Sequence, residues 1–212
     1  RSVSRGLGDV YKRQDFGPLV TTNGKFLNLC AIGNPKLVTE KQIAVTYKAT
    51  KKELLSAPES QLDKLPKLSA KLEVGEPVKI VLYGDSVCCG CDCSGMYGQK
   101  PGQPTWAELL FHQMEEKWQS PVCFHNTSEG GVDSEWAIEN SSQRAANFHP
   151  DLVILGFGMN DRCGMEEYRN KTGRLIEAIR KVSPKTEFLL IASTLPNELA
   201  ATEPHHFWAH QD

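Results

Sequence analysis

Residues Lys79–Ser86, KIVLYGDS, decide how the rest of the chain is read. Four strand-like residues, Ile80, Val81, Leu82 and Tyr83, run into the tight turn Gly84-Asp85-Ser86. A serine at the end of a buried strand is well placed to act as a nucleophile, because the strand fixes its position and the turn exposes its oxygen. The same eight residues also describe an ordinary strand end with a capping Ser or Asp. The flanking sequence has to separate the two.

From Lys79 onward, strand and helix patterns alternate. Thr105 opens a helix, with Glu108 three residues later as a capping box. Trp106, Leu109, Leu110, Met114 and Trp118 supply its helical spacing. Val122–Phe124 reads as the second strand, Ser134–Ala146 as a helix, and Leu152–Leu155 as a strand buried on both faces. A helix over Glu166–Val182 and a strand over Phe188–Ala192 follow. Alternating elements of these lengths predict a parallel sheet with helices on both faces. Upstream, residues 15–50 read as short strands, a partial β-rich unit with a turn at Asn23-Gly24. Residues 51–77 read as a charged, mostly extended linker punctuated by Pro58, Pro66 and Pro77. The main domain is expected over 78–212.

In open parallel sheets, chemistry collects beyond the carboxyl ends of the strands. The first strand ends in Gly84-Asp85-Ser86, the second in HNTSEGGVDS, the third in GFGMND and the fourth in STLPN. Serine, Gly-Gly and Asn on successive strand ends suit acyl transfer. A serine nucleophile generates an oxyanion that needs preorganised donors about 3 Å away. Glycine N–H groups allow close approach, and an Asn amide adds a neutral donor.

This ordered set resembles the SGNH, or GDSL-type, hydrolases over about Val78 to Asn197. The resemblance implies a flavodoxin-like three-layer α/β/α sandwich and a serine esterase needing no cofactor. It implies Ser86 as nucleophile, its own N–H as one oxyanion donor, Gly131 as a second and the Asn160 side chain as a third. Asp85, Asn126 and Asp161 would support these turns, with Ser128 at the family's spacing beside Asn126. A β-rich segment ahead of the hydrolase domain is similar to that of some carbohydrate esterases of this family. Short-chain or acetyl esters, including those of polysaccharides, are the implied substrates, and a secreted or periplasmic setting is the implied location. Among the tryptophans, Trp106 and Trp118 read as core, and Trp136, just after the second-strand loop, as a candidate sugar platform.

The chain departs from the family in its last motif, D-x-x-H, which supplies the base. None of His112, His125, His149, His205, His206 and His210 has Asp three residues before it. His206, in Glu203-Pro204-His205-His206, is the nearest candidate, and the expectation is that the true base lay beyond Asp212. His125 and His149 read as structural. Residues 1–14, RSVSRGLGDVYKRQ, lack periodic apolar pattern and resemble translated adapter sequence, with a natural basic tail as the alternative. They carry net +3 and leave −5 on the remainder of a chain whose net charge is −2, which disfavours nucleic acid as a partner. No uncharged apolar run reaches membrane-spanning length.

Seven cysteines form no even framework for disulfides. Cys88 and Cys91 make one C-x-x-C, but without a second ligand pair a zinc site is not expected. Small residues filling a loop beside the serine is the better reading. Two other functions remain open on sequence alone. One is a nucleotide or flavin module, opposed by the lack of any phosphate-loop or dinucleotide fingerprint. The other is a non-catalytic carbohydrate-binding module on the same fold.

Overall fold

The computed structural model describes residues 19–20, 27–28, 59–91, 93–98 and 102–193. The readings of the basic run 1–14, the Asn23-Gly24 turn, the strands of 29–50 and everything from Thr194, including His205, His206 and His210, lie outside the described residues. Two short strands, β1 (Leu19–Val20) and β2 (Leu27–Asn28), pair antiparallel.

A four-stranded parallel sheet carries the rest. Its strands are β3 (Val78–Gly84), β4 (Val122–Asn126), β5 (Leu152–Gly156) and β6 (Glu187–Leu190), in the spatial order β4-β3-β5-β6. The helices are α1 (Pro66–Glu73), α2 (Ser86–Cys89), α3 (Trp106–Trp118), α4 (Ser134–Arg144) and α5 (Met165–Val182). Side chains alternate across a strand, so each central strand feeds two cores. Ile80, Leu82, Leu152 and Ile154 face one way and pack with Leu68 and Leu72 of α1 and Ala107 and Phe111 of α3. Val81, Tyr83, Val153 and Leu155 face the other way and pack with Ala137 of α4 and Leu175 and Ile179 of α5. The uninterrupted apolar runs of β3 and β5 follow from this double burial. The architecture is the expected three-layer α/β/α sandwich.

Two expectations are corrected. The segment read as extended over 51–77 is helical over Pro66–Glu73. Pro66 stands at the first helical turn, where its missing N–H costs nothing and its φ is already helical. Leu65 at the N-cap has no side-chain acceptor, so a distant carboxylate serves instead. Glu187 on β6 accepts from Lys67 N (3.1 Å) and Leu68 N (2.9 Å), placing negative charge at the helix N-terminus. Asp151 adds an ion pair with Lys71 (2.8 Å) and accepts from Lys79 N (2.9 Å). The second correction concerns α3. Its capping box is present, with Thr105 accepting from Glu108 N, but Ala107 and Phe111 are its buried positions and Leu109 is exposed.

The order β4-β3-β5-β6 puts the topological switch between β3 and β5. The chain leaving β3 goes to the face of α3, and the chain leaving β5 goes to the face of α5. Their departure in opposite directions opens a crevice at the carboxyl ends, the place where α/β folds put their ligands.

Candidate active site

Gly84 pairs with Gly156 at the last rung of the β3–β5 ladder. A Cβ on either glycine would collide with Cys88 Sγ, so the two glycines make room for that thiol beneath the turn. Cys88 is buried and donates from Sγ to the Gly156 carbonyl (3.5 Å). Burial pushes its thiol up to about 12, which keeps it protonated and inert.

Above this floor, Asp85 N–H donates to the Gly156 carbonyl (3.0 Å), and the Asp85 side chain caps α2 by accepting from Val87 N (3.0 Å). The same carboxylate also accepts from the Met159 backbone N–H. One buried side chain thus ties the turn after β3 to the loop after β5. Burial holds the Asp85 carboxyl above the usual carboxylate range, with these backbone N–H groups opposing the shift. Ser86 is the first residue of α2 and is half-exposed. The first N–H groups of a helix have no acceptor within it.

The loop after β4 is joined to both. Asn126 Nδ2 donates to the Cys88 carbonyl at 2.8 Å, and its Oδ1 accepts from Ser128 N at 3.1 Å. Glu129 N donates to the Gly84 carbonyl (3.0 Å). Asn160 Nδ2 donates to the Val132 carbonyl (2.8 Å), next to Gly131. A primary amide carries two N–H donors, so one remains after this bond. Gly131 is exposed with φ +79°, a left-handed conformation that L side chains rarely adopt. Asp161 is buried and accepts from Ser134 Oγ (2.9 Å) and Ser134 N at the start of α4. Burial raises its carboxyl above the usual range, and the Ser134 hydrogen bonds and the Lys171 ammonium (3.8 Å) pull it back.

The residues picked out at three strand ends are therefore linked through Asp85, Asn126 and Asn160. His206 lies outside the described residues. His112 is exposed on α3 beside Glu116 (3.5 Å), and His125 packs on the Phe148 ring at 4.6 Å. His149 lies just before β5, at the opposite end of the sheet from Ser86. Trp136 is half-buried, 6.3 Å from the Tyr83 ring, with the Arg144 guanidinium 5.3 Å over its own ring.

Two supports were not legible in the motifs. Trp106 Nε1 donates to the Val87 carbonyl (3.0 Å), anchoring α2 to α3. Tyr168 donates to the Phe157 carbonyl (2.6 Å) beneath the third-strand loop. Both join residues far apart in sequence, and an aromatic at helical spacing signals core before it signals a donor. A cavity of about 460 Å³ lies beside the turn, between Cys89, Met96, Phe124 and Asn126. Among the described residues no cluster of His, Cys, Asp and Glu could hold a metal ion, and no helix is long and apolar enough to cross a membrane.

No family model and no curated protein matches the chain. Solved structures do. A two-domain esterase active on acetylated mannans, co-crystallised with mannopentaose, is 21% identical with a TM-score of 0.52. That alignment covers 61% of this chain and 34% of that one. A GDSL-like lipase from Parabacteroides merdae is 20% identical over 53% of this chain and 58% of its own, with a TM-score of 0.43. The chain shares its fold with the matched part of that two-domain mannan esterase. An acetylxylan esterase from Geobacillus stearothermophilus, solved as a catalytic mutant, matches at 14% identity and a TM-score of 0.47, over 66% of this chain and 68% of that one. The chain spans about a third of the mannan esterase's length.

Proposed function

We propose that the chain is the nucleophile-bearing part of a serine esterase acting on short acyl esters, with acetylated carbohydrate as the favoured substrate class. The Ser86 oxygen attacks the ester carbonyl carbon and passes its proton to a base. The tetrahedral oxyanion is met by the N–H groups of Ser86 and Gly131 and by the free N–H of Asn160. Collapse expels the alcohol, which takes up the proton, and leaves an acyl-Ser86 that water hydrolyses.

The observation that carries this reading is the Asp85 carboxylate, which holds Val87 N and Met159 N at once and so fixes Ser86 against the loop of Asn160. A merely capping Asp would need only the first of these bonds. The acyl and carbohydrate preference rests on the similar two-domain esterase, which is active on acetylated mannans. The base is proposed to come from outside the described residues, where His205, His206 and His210 also lie. The domain division, with a β-rich unit ahead of the sheet, remains part of the same proposal.

The test is labelling by a fluorophosphonate probe together with hydrolysis of an activated acetyl ester. Ser86→Ala should abolish both. Labelling that persists in Ser86→Ala would remove the nucleophile assignment. Replacing His205, His206 and His210 singly by Ala then locates the base: loss of turnover in one of the three places it there, and full activity in all three excludes them. A folded chain that binds acetylated oligosaccharide yet never labels would point to the carbohydrate-binding reading instead.

A further inference from the structure

The loop that carries Gly131 joins β4 to α4 and runs back along that helix. Thr127, at its start, meets Arg144, the last residue of α4, while Asp133, at its end, caps the first turn by accepting from Trp136 N (3.0 Å). The loop is thus fastened at both ends of one rigid rod. An eleven-residue helix is about 16 Å long. The seven residues 127–133, drawn out, would span about 23 Å. The loop has slack, so contacts and not tension decide where the Gly131 N–H sits.

Those contacts converge on Arg144. Thr127 Oγ1 donates to the Arg144 carbonyl (2.6 Å), one of the carbonyls that a helix end leaves without an intrahelical donor. The Arg144 guanidinium reaches back, donating from Nη1 to the Thr127 carbonyl (3.4 Å) and from Nη2 to the Glu129 carboxylate (3.2 Å). The Trp136 ring, two turns earlier on α4, lies under the guanidinium and supports the fork. Glu129 in its turn donates from N to the Gly84 carbonyl (3.0 Å), two residues before Ser86. Glu129 therefore bridges the strand that carries the nucleophile and the helix that carries the guanidinium, and Gly131 lies two residues further on. Capping α4 would need only the Thr127 hydroxyl. The two charged-fork contacts to the loop go beyond that.

We propose that Arg144 is a positioning residue for the oxyanion loop, acting through Thr127 and Glu129 on the spacing between the N–H groups of Gly131 and Ser86. The proposal rests on the esterase reading of those two groups. Arginine suits the task because its planar fork serves two acceptors in a fixed relation, which a lysine ammonium does not. The ion pair with Glu129 is half-exposed, at 37% and 38% for the two side chains, so salt weakens it. The bonds from Thr127 Oγ1 and Glu129 N involve no charged partner and hold at any ionic strength. Gly131 is therefore placed in a salt-sensitive way.

The test uses the full chain and a neutral activated acetyl ester. In Arg144→Met, kcat should fall about fivefold with KM unchanged, and Arg144→Lys should recover only part of it. A rise in KM at constant kcat, or full recovery with lysine, overturns the positioning by the fork. Raising sodium chloride from about 0.01 M to about 1 M shortens the screening length from about 30 Å to about 3 Å. That change should lower the kcat of the wild type and leave Glu129→Gln unaffected. An equal salt response in both overturns the role of the pair. Glu135→Gln is the control: it breaks another half-exposed ion pair of the same helix, Glu135–Arg174 (2.8 Å), which touches no residue of the loop. An equal loss of turnover there would reduce the effect to helix stability and overturn the proposal. The amide resonance of Gly131 in nitrogen-labelled protein reads the loop without turnover. It should shift in Arg144→Met and move with salt in the wild type. An unmoved resonance overturns the positioning whatever the kinetics show. A shifted resonance in a chain whose Ser86 never reacts with fluorophosphonate supports the placement of the loop by Arg144 and counts against the esterase reading alone.

Discussion

The turn after β3 and the loop after β4 meet at one edge of the sheet, and different physics holds each of them. The first is clamped. Asp85 ties it to the loop after β5, Asn126 holds it from β4 and Trp106 from α3, and Cys88 fills the space beneath. The second is anchored at several points but left open at Gly131. Glu129 N is tied to Gly84, and Thr127 Oγ1 donates to the Arg144 carbonyl (2.6 Å), while a Cβ built on Gly131 would have nothing within 4 Å. A reacting oxygen has to be placed by its surroundings, whereas a backbone donor needs open space and a particular φ. The clamped turn should therefore fail through lost partners and the open loop through lost conformation.

Asn160→Ala tests the join between the two regions and carries the largest expected effect. It removes the tie to Val132 and one proposed oxyanion donor. Loss of one such donor typically costs about 2.7–4 kcal/mol in the transition state, roughly a hundred- to thousand-fold in kcat. Steady-state kinetics on an acetyl ester should show this with little change in KM. A fall in KM-dependent rate alone would make Asn160 a binding residue.

Asp85→Ala breaks the clamp itself. It leaves Val87 N and Met159 N without their acceptor in a buried setting, at about 1–3 kcal/mol per unsatisfied group. Urea unfolding should report the loss, and fluorophosphonate labelling of Ser86 should slow in parallel. Unchanged labelling in a destabilised variant would separate the cap from the positioning of Ser86. Gly131→Ala strikes the open loop. No atom opposes the added methyl, but the left-handed backbone costs an L residue about 1–2 kcal/mol. Turnover should fall by about tenfold or less, and thermal stability by no more than that backbone strain. A large drop in stability would mean that the loop is packed after all.

How much of this was legible beforehand divides along the same line. Strands β3 to β6 and helices α3 to α5 announce themselves by period, and parallel order then delivers Ser86, Gly131 and Asn160 to one edge. Local chemistry was enough there. What stayed hidden depends on partners distant in sequence. Pro66 read as a breaker because the carboxylate that completes its helix is Glu187, on β6. Nothing local to Trp136 shows that Tyr83 packs behind it. The C-x-x-C of Cys88 and Cys91 was a counting artefact, since the paired glycines at 84 and 156 draw Cys88 out of the group.

Asp161 gives the smallest effect and the one whose sign is least intuitive. Its side chain is 3% exposed, and burial raises its carboxyl above the usual carboxylate range despite Ser134 and Lys171. A group raised on folding contributes stability that is complete below its unfolded value and is lost as pH rises through its folded value. The charged carboxylate is therefore a net cost near neutrality. Asp161→Asn keeps an acceptor for Ser134 and removes the titration. It also removes the like charge that raises Asp85, so both effects run the same way. The stability of the wild type relative to Asp161→Asn should thus be greatest near pH 4 and shrink toward pH 7, read from urea midpoints at each pH. A difference that grows toward pH 7 would mean that Ser134 and Lys171 more than offset burial. Asp161 would then belong with the clamped region as a stabilising anion, and the open loop would owe its position to that charge.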